Sequence, residues 1–257
     1  RLAPLLDDSK LLWGIVAVLQ DVTKERKVEV MRREFVGNVS HELRTPLSCL
    51  QGYTEAILDG MVPNPEEEKR YLNIILDETL RLRRLVDELL ALTKVEDGQL
   101  KLNKTSTSMA AIIERTEKKF VPITAKKGIT MVSEVGDDPF KAVMDEDRIE
   151  QVLTNLVDNA VRQSTAGQEV YVNVARSQGS IVVSVRDMGP GIPDDDLPFI
   201  WERFYKVDKS RTRRDGGTGL GLSIARSIVE AHRGKIWAKN GATGGTTFYF
   251  SLPVETK

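Results

Sequence analysis

Apolar residues change their spacing three times along this chain, and each change marks a different kind of element. From Leu12 to Gln20 they run almost unbroken and rich in branched side chains, which predicts a strand that gives out at Asp21-Val22-Thr23. Beyond Thr23 charge becomes dense, and Val36, Val39, Leu43, Leu47, Leu50 and Ile57 recur at threes and fours, with Thr54 filling the remaining place on one face of a long helix. Gly60 and Pro63-Asn64-Pro65 interrupt that stripe. Asn64 then suits an N-cap, Pro65 the first helical position, and Glu66, Glu67 and Glu68 the positive end of a new helix. The second helix carries Leu72, Ile75, Leu82, Val86 and Leu89 on one stripe, widened by Ile74, Leu85 and Leu92, and closes near Asp97-Gly98. Both stripes are broader than one neighbour covers. Two hairpins pairing into a four-helix bundle would bury them, so a homodimer is predicted.

From Gln99 the pattern turns to short strand candidates alternating with helices, which predicts an α/β half. The candidates include Lys126 to Ser133, Ala142 to Met144, Val170 to Ala175 and Ile181 to Arg186. Val170, Val172 and Val174 alternate with polar residues, as do Ile181, Val183 and Val185, and Gln178-Gly179 between them suits a hairpin turn. Lys206 to Gly217 is polar and lacks large apolar residues, so it reads as a loop.

Composition narrows the function classes. A chain of 257 residues that is 40% hydrophobic can supply a core and hold two modules. Its 37 basic and 38 acidic residues give no basic field, which argues against nucleic acid as a partner. The single cysteine, Cys49, excludes an internal disulfide, and with two histidines it cannot build a zinc site; a reducing compartment fits. Leu11 to Leu19 is the longest apolar run and is about half the ~20 residues that cross a bilayer, so no membrane contact is expected from this stretch. A chain that starts at Arg1 reads as a piece of something longer.

Chemistry concentrates in a few places. His41 sits in Ser40-His41-Glu42-Leu43-Arg44-Thr45-Pro46, two residues from the stripe positions Val39 and Leu43, so it should face outward. Imidazole is mostly uncharged and nucleophilic near neutral pH, and Glu42 can orient it. Pro46 removes the donor that would meet the Glu42 carbonyl, which predicts a kink beside His41. Asn155 and Asn159 lie four apart on a helix with Val152, Leu153, Leu156 and Val157, so their amides share a face, and amide oxygens are hard ligands suited to Mg2+. Asp187 ends an apolar strand and enters Gly189-Pro190-Gly191, where a carboxylate can accept an amine and glycine permits close approach. Gly217-Thr218-Gly219-Leu220-Gly221 precedes the helical run Ser223 to Ala231, whose exposed amides can hold phosphate. His232 lies near a helix end before Gly234, where a cation favours the dipole, and Cys49 is a packing residue. Taken singly, each of these has a bland reading: a polar helix face, a turn, a packing residue.

In order and spacing, the His41 block, Asn155-Leu156-Val157-Asp158-Asn159, Asp187-Met188-Gly189-Pro190-Gly191, Trp201-Glu202-Arg203-Phe204-Tyr205 and Gly217 to Leu222 together resemble the catalytic core of a two-component sensor histidine kinase. The resemblance covers roughly residues 22 to 255. It implies a dimeric four-helix bundle followed by an α/β sandwich ATP-binding domain of the fold shared with gyrase, the Hsp90 chaperones and MutL. The domains would be the end of a PAS-like sensor domain over 1–21, a dimerisation and phosphotransfer hairpin over 22–98, and an ATP-binding domain over 99–257. It implies ATP and Mg2+ as cofactors, His41 as phosphoryl acceptor with Glu42 as its base, and Asn159 as the magnesium ligand. Asn155 and Arg162 would lie near the phosphates, Arg162 standing where the family often has lysine. Asp187 would read adenine with Gly189 and Gly191 beside it. Lys206, ahead of Arg211, would approach the γ-phosphate, and Gly217, Thr218, Gly219, Leu220 and Gly221 would cradle the phosphates. Thr45 would align a water that dephosphorylates a response-regulator receiver domain, the expected partner. The fragment would be the cytoplasmic portion of a membrane-anchored bacterial sensor. The rival readings are an ATPase of the gyrase type with His41 a bystander, and a dimerising scaffold with a decayed site.

Overall fold

A computed structural model of the chain describes residues 2–6, 12–17, 21–96, 102–136, 138, 140–207, 217–242 and 244–254. The chain divides into two compact units, Arg1–Thr45 and Pro46–Lys257.

In the first unit, β1 (Leu2–Leu6) pairs antiparallel with β2 (Leu12–Ala17). β2 begins where the apolar run predicts; residues 18–20 lie outside the described residues. Helix α1 (Thr23–Leu58) starts at the predicted Thr23 and carries Pro46 inside it. In the turn before that proline, the Thr45 hydroxyl donates to the His41 carbonyl at 3.3 Å and Ser40 donates to the Val36 carbonyl at 2.8 Å. Both are back-bonds onto the carbonyl four residues earlier; the carbonyl that Pro46 leaves without its ladder donor is that of Glu42.

The second unit opens with the rest of α1 and α2 (Pro65–Glu96). A left-handed Gly60 ends α1, with Gly60 N–H on Ile57 O and Met61 N–H on Ala56 O, and Asn64 caps α2 by accepting Glu67 N–H at 2.8 Å. Tyr53 meets Tyr71 edge-on at 4.7 Å across the hairpin. Leu85 is buried, Ile74, Ile75, Leu82 and Leu89 are half-buried, and Leu47, Leu72, Leu76, Leu80, Val86 and Leu90 stay exposed. The apolar stripe is thus wider than predicted, since Leu76, Leu80 and Leu90 extend it. The side chain of Leu92 and the predicted helix end at Asp97-Gly98 lie outside the described residues.

Among the described residues, the rest of the unit is a mixed five-stranded sheet with three helices. The sheet runs β4 (Thr130–Glu134), β6 (Glu169–Ser177), β7 (Ser180–Arg186), β9 (Thr246–Pro253), β8 (Lys235–Asn240), with only the β4–β6 pair parallel. Gln178 and Gly179, with φ of 47° and 75°, make the predicted two-residue hairpin turn. One sheet face is apolar by alternation: Val170, Val172 and Val174, Ile181, Val183 and Val185, and Phe248, Phe250 and Leu252 are all buried. It packs with α3 (Met109–Lys127), α4 (Glu146–Gln163) and α5 (Gly221–Ala231). The short ribbon of β3 (Thr105–Ser108) with β5 (Lys141–Met144) lies apart from this sheet. The predicted strand from Lys126 needs correction. Helix α3 continues to Lys127 and ends at Gly128, whose φ of 67° lets its N–H close on Ala125 and Thr124, so β4 starts only at Thr130.

Asp145 ties three parts of this half together. Its carboxylate caps α4 through Arg148 N–H at 3.1 Å and accepts Asn103 N–H at 2.8 Å, while its own N–H donates to His232 Nε2 at 3.0 Å. His232 Nδ1 lies 2.8 Å from Ile228 O, so the ring is a buried neutral donor and acceptor and not the cation that a helix end favours. Burial pulls its pKa below the usual value, so the unfolded chain binds this proton more readily than the folded one. Its stabilisation is therefore whole above about pH 6.5 and is lost progressively as pH falls below that value through the lower pKa of the folded state. In urea unfolding, His232→Ala is expected to cost about 1–3 kcal/mol at neutral pH by orphaning the Asp145 N–H. It should also flatten the decline in stability below about pH 6.5.

Candidate functional site

His41, Glu42 and Thr45 occupy consecutive turns of α1 in the first unit. His41 and Thr45 are exposed and Glu42 is half-buried, with Val39 and Leu43 beside them half-buried on the stripe. The outward placement follows from the helical phase of His41 against that stripe.

The remaining candidates come from three elements of the second unit. Asn155, Asn159 and Arg162 stand half-buried along α4 beyond its core face of Val152, Leu153, Leu156 and Val157. The Asn155 amide donates to Gly221 O at 3.0 Å, which ties α4 to the first residue of α5, and Arg162 pairs with Asp158 at 2.6 Å. Asp187 continues β7 and is 1% exposed. Its Oδ1 accepts Gly189 N–H at 2.9 Å and Thr246 N–H at 3.2 Å, whereas its buried Oδ2 has no partner. Burial pushes this carboxyl above the usual aspartate range, against the pull of the two amides. A buried acceptor left open beside glycine backbone is the feature a bound amine would complete. Gly189 is required there by space: a Cβ would lie 2.8 Å from Gln163 O.

The third element is the glycine run. Gly219, at φ of 78°, accepts Phe204 N–H on its carbonyl at 2.9 Å, and a Cβ on it would stand 2.8 Å from Phe204 Cα. The aromatic block is thereby joined to the phosphate-loop candidate, and Trp201 packs edge-on against Phe248 at 6.0 Å. Helix α5 begins at Gly221 with no side-chain cap on its first turn, which leaves its positive end to a ligand. Gly217 lies next to Arg162, since a Cβ there would be 3.0 Å from Arg162 Nη1. Gly191 and Lys206 are half-buried at the ends of their loops, and Arg211 lies outside the described residues.

The structure brings in residues that the motifs do not name. Thr218 donates its hydroxyl to Glu88 of α2. Glu88 is mostly withdrawn from solvent, burial raises its pKa, and Arg162 and Asp158 act on the same carboxyl. Thr246 and Gln163 surround Asp187 and Gly189, and Asn240 braces the loop after them. Among the described residues no group of three or more His, Cys, Asp or Glu side chains could hold a metal by itself.

Two family models divide this architecture. Residues 144–256 match the family described as histidine kinase-, DNA gyrase B-, and HSP90-like ATPase, and residues 31–98 match the His Kinase A (phospho-acceptor) domain. An ATPase module of this class follows a phospho-acceptor hairpin. The sensor protein SrrB of Staphylococcus aureus is 41% identical over 240 residues, 93% of this chain. The chain spans 41% of the length of that relative. Among solved structures, the catalytic domain of histidine kinase ThkA is 31% identical with a TM-score of 0.53, covering 59% of this chain and 96% of its own. ThkA in complex with the response regulator protein TrrA gives a TM-score of 0.70 at 27% identity, covering 98% and 74%. Acinetobacter baumannii histidine kinase AdeS gives 0.69 at 29% identity, covering 84% and 98%. The chain belongs to the histidine kinase family.

Proposed function

We propose that this chain is an ATP-dependent protein-histidine kinase that phosphorylates His41 and passes the group to an aspartate of a response-regulator receiver domain. The observation that carries the reading is the unpartnered buried oxygen of Asp187 beside a glycine-lined loop, in one chain with an exposed His41. Asp187 Oδ2 accepts the exocyclic amine of adenine, and Gly189 and Gly191 let the backbone approach the base. Gly217 to Gly221 and the open end of α5 take the phosphates, with Asn155, Arg162 and Lys206 beside them. The amide oxygen of Asn159 is the ligand for Mg2+, which when bound neutralises charge on the phosphates. A ring nitrogen of His41 forms the new N–P bond as the bond from the γ-phosphorus to ADP breaks, and Glu42 takes the ring proton. Thr45, one turn from His41, would position a water for dephosphorylating the regulator. That hydrolysis is the secondary activity. The partner class is supported by the ThkA complex with its response regulator.

The hairpin over 22–98 acts as the dimerisation and acceptor domain, 99–257 as the ATP-binding domain, and 1–21 as the exit of a PAS-like sensor domain. None of the described helices is long and apolar enough to cross a membrane. We place the fragment on the cytoplasmic side of a membrane-anchored bacterial sensor. Exposed Leu72, Leu76, Leu80, Val86 and Leu90 on α2 support a homodimer. Each buried leucine contributes about 1.5–3 kcal/mol and counts twice across a two-fold axis. The double change Leu72→Glu with Leu76→Glu is expected to halve the mass seen by analytical ultracentrifugation.

Incubation with γ-labelled ATP and Mg2+ tests the activity: label should stay on the protein in alkali and leave in acid, as a phosphoramidate does. Hydrolysis with no retained label would favour an ATPase without an acceptor. Glu88 makes a further prediction. A carboxylate on Thr218 sets negative charge where phosphates are to bind, so Glu88→Gln, which keeps an acceptor for Thr218, is expected to tighten ADP roughly threefold to tenfold in calorimetry.

A further inference from the structure

The loop after Asp187 is held at two points. Gly245 N–H donates to Gly189 O at 2.8 Å, and the side chain of Asn240, the last residue of β8, takes the other end. Asn240 Nδ2 donates to Ile192 O at 2.6 Å while its Oδ1 accepts Ile192 N–H at 3.0 Å, so one amide completes both backbone groups of a single residue. The same nitrogen donates to Asp194 Oδ1 at 3.2 Å. Thr246, whose N–H holds Asp187 Oδ1 at 3.2 Å, brings its hydroxyl to 3.5 Å from Asn240 Oδ1. Between the two anchored points stand only Pro190 and Gly191, the latter at φ of 82° with its would-be Cβ 3.4 Å from Asn240 Oδ1.

We propose that Asn240 is a positioning residue that fixes the wall of the base pocket and so sets the affinity for the base half of the nucleotide. The proposal rests on the reading of Asp187 as the adenine acceptor. A Gly-Pro-Gly segment anchored at one end alone samples conformations that nucleotide binding must then remove, and that ordering cost appears as weaker binding. The clamp needs a donor and an acceptor on one planar group, spaced as in a peptide, and the asparagine amide supplies both. An aspartate in its place keeps the shape and the acceptor but turns a second acceptor toward Ile192 O and Asp194.

The test is calorimetric titration of the full 257-residue chain with ADP, beside Asn240→Ala and Asn240→Asp. Steady-state labelling from ATP and thermal unfolding of the nucleotide-free proteins accompany it. Loss of the clamp should weaken ADP roughly fivefold to thirtyfold in both variants. KM for ATP should rise in proportion, kcat at saturating ATP should stay unchanged, and the nucleotide-free midpoint should move by less than about 3 °C. An unchanged ADP affinity in Asn240→Ala overturns the proposal. So does an aspartate variant that binds as the original does, because the donor would then be irrelevant. ADP weakening that comes only with a collapse of the nucleotide-free midpoint also overturns it, as the mark of a merely structural residue. If the unaltered chain does not bind ADP, the adenine reading itself fails and takes the clamp with it.

Discussion

The His41→Gln chain, incubated with labelled ATP and Mg2+, is expected to retain at least about a thousandfold less label than the unaltered chain. Glutamine keeps a helix-compatible side chain of similar reach and hydrogen-bonding capacity. Its amide nitrogen donates its lone pair to the carbonyl, however, and cannot attack phosphorus. Because His41 is exposed, the exchange should leave folding stability within about 0.5 kcal/mol and ADP affinity within about twofold. That separation gives the experiment its force: a dead acceptor on an intact nucleotide site. Asn159→Ala provides the complementary case, in which the acceptor is intact and the cation loses an oxygen ligand. Label should then fall through weakened binding of the Mg2+ complex and recover partly at high Mg2+. Label surviving on His41→Gln would remove His41 from the reaction and leave the hairpin without its assigned chemistry.

The parts of this molecule that could be read from sequence are those whose signal is local. Asn64, Pro65 and the three glutamates after them announce the start of α2 because capping is settled within one turn, and Gln178-Gly179 announces the β6–β7 hairpin because positive φ at two neighbours is a local demand. The alternation of Phe248, Phe250 and Leu252 is an equally local sign of β9, which the strand candidates leave out. Helix α3 outran the expected strand because β-branched and apolar residues near its end look alike in either period until Gly128 decides. Burial of His232 was invisible for another reason. Its partner Asp145 lies 87 positions away, and only that contact turns a helix-end cation into a neutral internal bridge. Glu88 and Asn240 belong to the same class. Each is an unremarkable polar residue on its own element, and its role comes from a neighbour 130 or 48 positions distant.

Asp187→Asn is expected to weaken ADP and ATP by roughly a hundredfold, although the new side chain has nearly the same shape. Two backbone amides, Gly189 and Thr246, point at Oδ1, so the asparagine must turn its carbonyl oxygen to that side. Its NH2 group then takes the place of Oδ2, and a donor faces the adenine amine where an acceptor stood. Both outcomes of flipping the amide are poor: one clashes two donors at the base, the other breaks the two bonds that hold the loop. The Gly217 to Gly221 run proposed to hold the phosphates is untouched, so the loss should fall on affinity, while the proposed acceptor His41 is unchanged. The raised pKa of Asp187 adds a second signature. Protonation places a hydrogen on the acceptor, so nucleotide binding by the unaltered chain should weaken as pH falls, beginning at a higher pH than the ordinary aspartate value of about 3.9 would give. Asp187→Asn should abolish that dependence, and calorimetry of ADP binding across pH would read both effects from one set of titrations. An asparagine variant that bound ADP as tightly as the original would mean that the open oxygen beneath the cradle meets something other than a base.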